Sequence, residues 1–462
     1  MNKNLYILAI LLISTVLTGK AQTYVLDSLR GHLPAVVNES ADTLAYADSS
    51  RNFNIFFNKL DSIHRGLGGK LHIMHIGGSH VQADVYSGKL RQYFQQMHPD
   101  AMGQRGLIFP YNLAGTNNPS NYRVEGKKQR WKGYRSSVRS DSATWGLSGI
   151  TVVLTDSIDT LRILSGHRMP PDQRNRFNKV RFFTDNPCGS ALYNITDSLN
   201  HFIEDTCYYL TDITNNLTIS PDQLTNPIIN PDNPTIQTNT ANHQSGFREL
   251  TLAAETDSLQ LEIIRQDSVY QLYGIELMSD RQGIEYTSIG VNGASFESYA
   301  RCTLFKNQLS LYRPDLFIIA IGTNDAYTPN FDAPKFEAYY RDFLNTILEI
   351  NPDCAILLTV PNDNYYKRKH PNRNTAIQQE IIHRLGKEYC MAVWDLYEIM
   401  GGLGSSQKWY LKQLMPRDRI HFTSTGYHLV ADLLLKALTQ QWEKVTGAEP
   451  QSILKSFILK AI

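Results

Sequence analysis

The second half of the chain alternates short apolar segments with longer amphipathic ones, and this alternation restricts the possible folds more than any other feature. It predicts the following elements in order: strands Tyr286–Gly290 and Leu316–Ile321, helix Pro334–Ile350, strand Ala355–Val360, helix Ala376–Tyr389, strand Met391–Trp394 and helix Thr423–Trp442. Short, uniformly apolar strands are typical of a parallel sheet that helices cover on both faces. We therefore predict an α/β fold with three layers, α/β/α, around a mostly parallel sheet.

The first unit of this sheet lies much earlier in the chain. The segment Leu71–Ile76 predicts a strand, Gly77 and Gly78 predict a tight turn, and Val85–Met97 predicts a helix. A strand, a glycine turn and a helix in this order are the opening of an α/β unit. The sheet is therefore predicted to be interrupted after its first unit.

Residues 106–283 show a different pattern, in which apolar and polar residues alternate along short segments separated by Asn, Asp, Pro and Gly. This pattern predicts strands at Ile150–Leu154, Lys179–Phe183, Glu249–Leu252 and Leu259–Ile263. Such alternation is typical of antiparallel sheets, so we predict an inserted domain that resembles a β-sandwich. Within it, Thr211–Ser245 is rich enough in Asn, Thr, Pro and Asp to predict a long loop.

The N-terminal residues have the features of a secretory signal peptide, with Lys3, an apolar run from Leu5 to Leu17, and small residues up to Ala21. The run is shorter than the ~20 apolar residues that a membrane span needs, although an uncleaved anchor is the alternative. No cysteine follows the run, which argues against a lipoprotein anchor. We expect an exported protein, periplasmic, on the cell surface or secreted, without a stable membrane span in the mature chain.

A chain of 462 residues is too long for one ordinary domain. The patterns above predict this division: 1–21 signal peptide, 22–68 lead-in with a helix around Asn52–Arg65, 69–105 and 284–445 discontinuous α/β domain, 106–283 inserted β-rich domain, and 446–462 tail with a surface helix.

Charge and cysteine content exclude some classes of function. The formal net charge of +1 gives no overall attraction to nucleic acid. The five cysteines show no CxxC spacing and no neighbouring histidine cluster, so no metal is predicted. Cys188 and Cys207 are close enough in sequence for a disulfide, but the odd count leaves at least one free thiol.

Ser79 follows the predicted strand and the two glycines. A serine nucleophile requires a hydroxyl on a sharp turn at the carboxyl end of a strand, next to the N-terminus of a helix. Gly77, Gly78 and Ser79 meet this requirement, although glycine–serine turns between a strand and a helix are common and, taken alone, more often have a purely structural role.

A second polar segment, Asp418-Arg-Ile-His421, precedes the last predicted helix. Histidine is the usual general base for a serine, and a carboxylate on its other ring nitrogen fixes the tautomer and stabilises the imidazolium. The alternative is structural, with Asp418 in an ion pair and His421 as a capping or packing residue.

Two further turns follow predicted strands. Asn324 in Ile319-Ala-Ile-Gly-Thr-Asn-Asp325 is a neutral donor at the end of a strand, where open α/β sheets place ligands, and it could stabilise an oxyanion. Alternatively it forms an Asx turn. Gly293 lies in the other turn, where its N–H could point into the same cleft, and Gly290 is its rival.

These four segments, in this order, resemble the four blocks of the SGNH/GDSL hydrolases. The resemblance implies that Ser79 is the nucleophile, His421 the base and Asp418 its orienter. It also implies an oxyanion hole formed by the N–H groups of Ser79 and Gly293 and the amide of Asn324. The family's usual Gly-Asp-Ser reads Gly77-Gly78-Ser79 here, so the carboxylate beside the nucleophile is missing.

The resemblance implies acyl transfer through an ester of Ser79, without a cofactor. Export together with an inserted β domain is similar to carbohydrate and peptidoglycan O-acetylesterases, so the expected partner is an acylated carbohydrate or another ester substrate. The alternatives are a lysophospholipase or lipid esterase, a glycan O-acetyltransferase, and a catalytically inactive glycan-binding protein. A basic stretch between Arg123 and Arg139, which includes Lys127 and Lys128, could face an anionic or sugar polymer or form a solvated loop.

Overall fold

The computed structural model describes residues 33–196, 201–210 and 245–460, together with Leu29. The predicted signal peptide lies outside these residues, and so does the predicted loop Thr211–Ser245 except for its last residue. No helix among the described residues combines the length and the apolar character that crossing a membrane requires.

A six-stranded sheet forms the centre of the α/β part, in the order β1-β19-β16-β15-β2-β14. Its strands are β1 (Leu44–Ala45), β2 (Lys70–Gly77), β14 (Gly283–Gly290), β15 (Leu316–Ala320), β16 (Ala355–Val360) and β19 (Ala392–Asp395). All neighbours pair in parallel except β1, an antiparallel edge strand from the lead-in segment. Every residue of β16 is buried, as expected for a strand covered on both faces.

Helices cover both faces of this sheet. In chain order they are α1 (Arg51–His64), α2 (Ser79–Gln82), α3 (Tyr86–Gln96), α4 (Phe296–Ala300), α5 (Phe305–Leu309), α6 (Thr323–Ala326), α7 (Ala333–Ile350), α8 (Asn374–Glu388), α9 (Leu396–Met400), α10 (Ser405–Leu411), α11 (Ser424–Thr446) and α12 (Ser452–Lys460). The face that includes Ile73 and Leu357 packs with α1, α3 and α11, whereas the opposite face, with Met74 and Ile356, packs with α7 and α8. The predicted α/β/α architecture with a mostly parallel sheet is confirmed.

The C-terminal tail is better packed than the predicted surface helix. Ile453, Leu454 and Phe457 of α12 are buried, and the Phe457 ring meets Tyr93 of α3 edge-on. The Glu443 carboxylate of α11 accepts the backbone N–H of Ile453 at 2.8 Å, which caps the start of α12. The apolar residues of the tail therefore extend the core beneath α3.

Two antiparallel sheets form the middle of the chain, as predicted. The larger contains β3 (Gly106–Ile108), β5 (Trp131–Arg135), β6 (Ile150–Leu154), β8 (Phe177–Thr184), β10 (Phe202–Tyr209), β11 (Gly246–Thr256) and β13 (Gln271–Met278). The smaller contains β4 (Arg123–Glu125), β7 (Ile158–Leu164), β9 (Ala191–Ile195) and β12 (Ser258–Arg265). Phe182 and Tyr193 join the sheets, with ring centroids 5.0 Å apart. The exact domain boundaries stay a prediction.

Cys188 and Cys207, the pair considered for a disulfide, both carry free thiols. The two side chains are neighbours, and the hydrogen bond between them lowers the pKa of the Cys188 thiol to about 7.

Candidate active site

Ser79 lies where β2 turns into α2, at the carboxyl end of the sheet. The turn brings Gly77 against Val81 and β15: a Cβ on Gly77 would lie 2.5 Å from Val81 Cγ2 and 2.7 Å from the Ala320 carbonyl oxygen. Only glycine fits this close approach. The sequence therefore places the Ser79 hydroxyl on a turn that cannot relax.

Ser79, His421 and Asp418 form a hydrogen-bonded chain. Ser79 Oγ lies 2.9 Å from His421 Nε2, and His421 Nδ1 lies 2.9 Å from Asp418 Oδ2. With its Nδ1–H donating to the carboxylate, the imidazole can accept the Ser79 proton at Nε2. The His421 side chain is 40% exposed, so the reacting atoms are open to a substrate.

The Asp418 carboxylate is held in its ionised form. Burial raises its pKa, but hydrogen bonds from the His421 side chain and from the backbone N–H groups of Ile420 and His421 lower that pKa to about 2. An ionised carboxylate on Nδ1 favours the tautomer that a general base requires. Asp418 therefore has the charge that an orienting group needs throughout the neutral pH range.

A second histidine lies directly beneath His421. The ring centroids of His80 and His421 are 5.3 Å apart, and His80 Nδ1 lies 2.9 Å from the Tyr427 hydroxyl. Burial, and to a lesser extent the charge of a protonated His421, lowers the pKa of His80 to about 3. His80 therefore remains neutral and packs against the His421 ring with an angle of 48° between the two ring planes.

Asn324 occupies the first turn of α6, after β15. Its Nδ2 donates to the Ala294 carbonyl oxygen at 2.9 Å, which fixes the amide next to the turn that contains Gly293. An amide nitrogen has two N–H groups, so this bond orients Asn324 and leaves one donor available. The neighbouring Asp325 carboxylate accepts the Phe296 N–H at 3.1 Å and so ties α6 to the helix after the Gly293 turn.

Gly290 and Gly293, the two rivals for an oxyanion donor, have different environments. Gly290 ends β14 opposite Gly77 and is packed so closely that a Cβ would lie 2.1 Å from the backbone nitrogen of Gln82. Gly293 has a left-handed φ of 82° and is exposed in the turn. Close packing thus explains why glycine is needed at position 290. Gly293 is exposed, so its backbone N–H is the better candidate for an oxyanion donor.

The Gly293 turn is fixed by residues that the sequence motifs do not include. The Asn292 N–H donates to Gln82 Oε1 at 2.7 Å, and Asn292 Nδ2 donates to Thr116 Oγ1 at 2.9 Å. On the other side, Ser137 Oγ donates to the Asn292 carbonyl oxygen at 2.8 Å. Thr116 and Ser137 belong to the antiparallel part of the chain, so that part supports the site directly.

We expect Gly78→Ala to lower kcat for ester hydrolysis about tenfold. A Cβ on Gly78 would lie 3.1 Å from Asn324 Nδ2, and small displacements of catalytic groups cost this much. Steady-state kinetics of Gly78→Ala, Asn324→Ala and the double variant test the cause. If Gly78→Ala acts through the Asn324 amide, it adds nothing to Asn324→Ala. An equal loss in both backgrounds would contradict this explanation.

Among the described residues, no group of three or more histidine, cysteine, aspartate or glutamate side chains is arranged to hold a metal ion. The polar groups around Ser79 are instead donors and acceptors that suit acyl transfer.

Comparison with known families gives one match within the chain. Residues 265–429 match the profile of the GDSL-like lipase/acylhydrolase family. This range contains Gly293, Asn324, Asp418 and His421 but begins after Ser79. No curated protein matches the chain in sequence.

Solved structures extend the comparison to the fold. A peptidoglycan O-acetylesterase structure is 20% identical, covers 85% of this chain and 96% of its own, and superposes with a TM-score of 0.63. The acetyl xylan esterase AlAXEase is 22% identical over 33% of this chain and 81% of its own, with a TM-score of 0.28. A lipase/acylhydrolase from Enterococcus faecalis is 21% identical, covers 33% of this chain and 75% of its own, and superposes with a TM-score of 0.26. The first of these likenesses shows a shared fold over most of the chain.

Proposed function

Since this chain is an ester-hydrolysing enzyme of the SGNH/GDSL hydrolase family, we propose that it removes O-acetyl groups from a glycan by means of Ser79, His421 and Asp418. The observation that carries the proposal is the hydrogen-bonded chain from Ser79 Oγ through His421 to the Asp418 carboxylate. This series of hydrogen bonds couples the Ser79 hydroxyl, which lies on a rigid turn, to a base and to an ionised carboxylate.

The proposed reaction proceeds in two halves. Ser79 Oγ attacks the ester carbonyl carbon while His421 Nε2 takes its proton. The bond between the carbonyl carbon and the sugar oxygen then breaks as the imidazolium protonates that oxygen, so the sugar leaves with a free hydroxyl. Water, deprotonated by His421, attacks the acetyl ester of Ser79, and the proton returns to Ser79 as acetate leaves. Asp418 stays ionised and stabilises the imidazolium in both halves.

The negative charge that develops on the carbonyl oxygen requires donors. We assign this role to the backbone N–H groups of Ser79 and Gly293 and to the second N–H of the Asn324 amide. One such donor contributes about 3 kcal/mol when water is excluded. The Ala294 carbonyl and Gln82 hold the Asn324 side chain and the Gly293 turn in place before the substrate arrives, so little reorganisation is needed.

Two observations support a glycan as the substrate. The structure of a peptidoglycan O-acetylesterase superposes over 85% of this chain, which is more than the α/β part alone. The apparent signal peptide at residues 1–21 supports a substrate outside the cytoplasm. We propose that the enzyme is exported and acts there.

Acetate release is the measurement that tests this function. The mature protein is incubated with p-nitrophenyl esters of increasing acyl length and with O-acetylated glycans, beside Ser79→Ala as the background control. We expect acetate from the glycans and a strong preference for acetyl over long acyl chains. A preference for long chains would instead identify a lipid esterase. Transfer to glycan hydroxyls faster than hydrolysis would identify a transferase, and binding without turnover an inactive glycan-binding protein.

A further inference from the structure

A short basic hairpin lies beside the catalytic loop. β17 (Tyr365–Tyr366) and β18 (His370–Pro371) pair in antiparallel fashion, and the turn between them consists of Lys367, Arg368 and Lys369. Those three side chains are exposed, and so are His370 and Arg373. We refer to residues 365–373 as the basic hairpin.

The charges of the basic hairpin are not compensated within the protein. Among the described residues, Lys367, Arg368, Lys369 and Arg373 form no ion pair with a carboxylate, although ion pairs are frequent elsewhere on the surface. In the basic stretch near residues 123–139 part of the charge is compensated, because Arg123 pairs with Glu125 and Arg130 with Asp156. The basic hairpin therefore concentrates positive charge that only an external anion can neutralise.

The backbone of the hairpin turn is held in an unfavourable conformation. Lys367 and Arg368 have left-handed φ angles of 50° and 61°. Residues with a Cβ adopt this conformation at a cost of about 1 kcal/mol or more, which is why glycine or asparagine is the usual choice in such turns. These two residues form the tight turn that places the side chains of Lys367, Arg368 and Lys369 together at the tip of the hairpin.

Arg419 ties the basic hairpin to the catalytic loop. It lies between Asp418 and His421, and its guanidinium packs over the Tyr365 ring at 4.1 Å and donates to the Arg368 carbonyl oxygen at 2.6 Å. The Tyr365 N–H in turn donates to the Arg419 carbonyl oxygen at 3.3 Å. The hairpin is thus fixed relative to the residues that bind the scissile ester.

A cavity of about 450 Å³ borders the hairpin. Its lining includes Thr328, Tyr366, His370, Arg373, Asn374 and Leu403. Asn374 Nδ2 donates to the carbonyl oxygens of Ala326 and Thr328, so the cavity wall is joined to α6, the helix that carries Asn324. The Tyr366 ring lines this cavity and packs against the Tyr327 ring behind it, with centroids 5.0 Å apart, so the cavity wall includes an aromatic surface.

We propose that the basic hairpin and this cavity bind negatively charged sugar units next to the acetylated sugar, so that the preferred substrate is an anionic O-acetylated glycan. This inference rests on the proposed function and specifies its substrate class. The anion is a carboxylate or a phosphate on the glycan, because Lys and Arg side chains bind both. The hairpin raises the local concentration of polymer and fixes its register, while the chemistry remains with Ser79.

The test compares two charge variants on matched polymers. One variant replaces Lys367, Arg368, Lys369 and Arg373 with glutamine. The control variant replaces four exposed cations outside the basic hairpin with glutamine, namely Lys70, Arg162, Lys387 and Lys455. It therefore removes the same number of positive charges as the hairpin variant. The substrates are O-acetylated polygalacturonate, an O-acetylated polysaccharide with phosphodiester links, neutral acetylated xylan and p-nitrophenyl acetate.

We expect the hairpin variant to lose about tenfold or more in kcat/KM on at least one anionic polymer at low ionic strength, mainly through KM. The anionic polymer that responds identifies the anion. Xylan and p-nitrophenyl acetate should change less than about twofold, and about 1 M NaCl should abolish the difference, because the screening length is then only about 3 Å.

Two results would overturn the inference: unchanged kinetics on both anionic polymers, or an equal loss in the control variant. Failure of the proposed function gives a different result, since the wild-type enzyme would then release no acetate from any of the three polymers, whether or not it hydrolyses p-nitrophenyl acetate. Unchanged hydrolysis of p-nitrophenyl acetate shows that the hairpin variant is folded.

Discussion

Ser79→Ala is expected to lower kcat for ester hydrolysis by about 10⁴-fold or more, because it removes the atom that attacks the carbonyl carbon. The Ser79 hydroxyl is 2.9 Å from its base and lies on a turn whose glycine cannot be replaced without a clash. Among the described residues, no other serine hydroxyl lies within hydrogen-bond distance of His421. The rate that remains would come from substrate binding and the oxyanion donors alone.

His421→Ala should have a similar effect, since serine without a base is a weak nucleophile. Asp418→Asn keeps the shape of the side chain but removes the charge, and a loss of about 10⁴-fold is expected for such a change. Residues that act as a unit are not additive, so the Ser79→Ala/His421→Ala double variant should be no slower than either single variant. This absence of additivity distinguishes a catalytic unit from separate structural defects.

The rate of p-nitrophenyl acetate hydrolysis is measured for all four variants. The matched control is Ser40→Ala, which changes an exposed serine in the lead-in segment. Activity of Ser79→Ala near the wild-type level would exclude Ser79 as the nucleophile. Full activity of Asp418→Asn, with Ser79→Ala inactive, would retain the nucleophile but exclude Asp418 as the group that orients His421.

The α/β fold can be predicted from the sequence because each strand and helix is indicated by the pattern of apolar residues within its own segment. A buried strand such as Ala355–Val360 is apolar throughout, and the predicted bounds equal the observed ones. The polar turns after the strands bring Ser79 and Asn324 to one edge of the sheet, because the carboxyl ends of parallel strands meet there. The proximity of Ser79 to His421, which are 342 positions apart in the chain, does not follow from this rule, because His421 lies in the loop between α10 and α11 and no strand directly precedes it. It is expected only from the chemistry of a serine and its base and from the family resemblance.

The supporting residues could not be predicted in this way. Gln82 and Thr116 fix the Gly293 turn, but neither has a distinctive spacing, and their partners lie far away in sequence. His80 directly follows the nucleophile, which was a signal that it belongs to the site, yet its role beneath His421 depends on the position of Tyr427. Such contacts between distant segments leave no periodic pattern, so only the structure reveals them.

Asp84 is the centre of the largest such network. Its Oδ1 accepts hydrogen bonds from Ser87 and Ser288, both at 2.7 Å, and its Oδ2 accepts one from Asn121 at 2.7 Å. The guanidinium groups of Arg91 and Arg105 lie 3.0 Å from the same carboxylate. The network joins the segment after the nucleophile to β14 and to the start of the antiparallel part.

Asp84→Asn should lower the free energy of unfolding by about 3–5 kcal/mol, because it leaves two buried guanidinium groups without their counter-charge. Asparagine has nearly the same shape and accepts the left-handed φ of 48° at this position, so the change isolates the charge. Urea unfolding followed by tryptophan fluorescence measures the loss. Asp280→Asn, which breaks the exposed pair with Lys179, is the matched control and should cost less than about 1 kcal/mol.

The effect of Asp84 should also depend on pH in a defined direction. Although burial opposes ionisation, Arg91 and Arg105 hold the pKa of Asp84 well below its usual range. The folded protein thus keeps the charge that the unfolded chain loses near pH 4, and the stabilisation is fully present above that pH. The difference between the wild type and Asp84→Asn should therefore be constant near neutral pH and shrink as the pH falls below about 4. A difference that does not change with pH would show that lost packing, rather than lost charge, destabilises the variant.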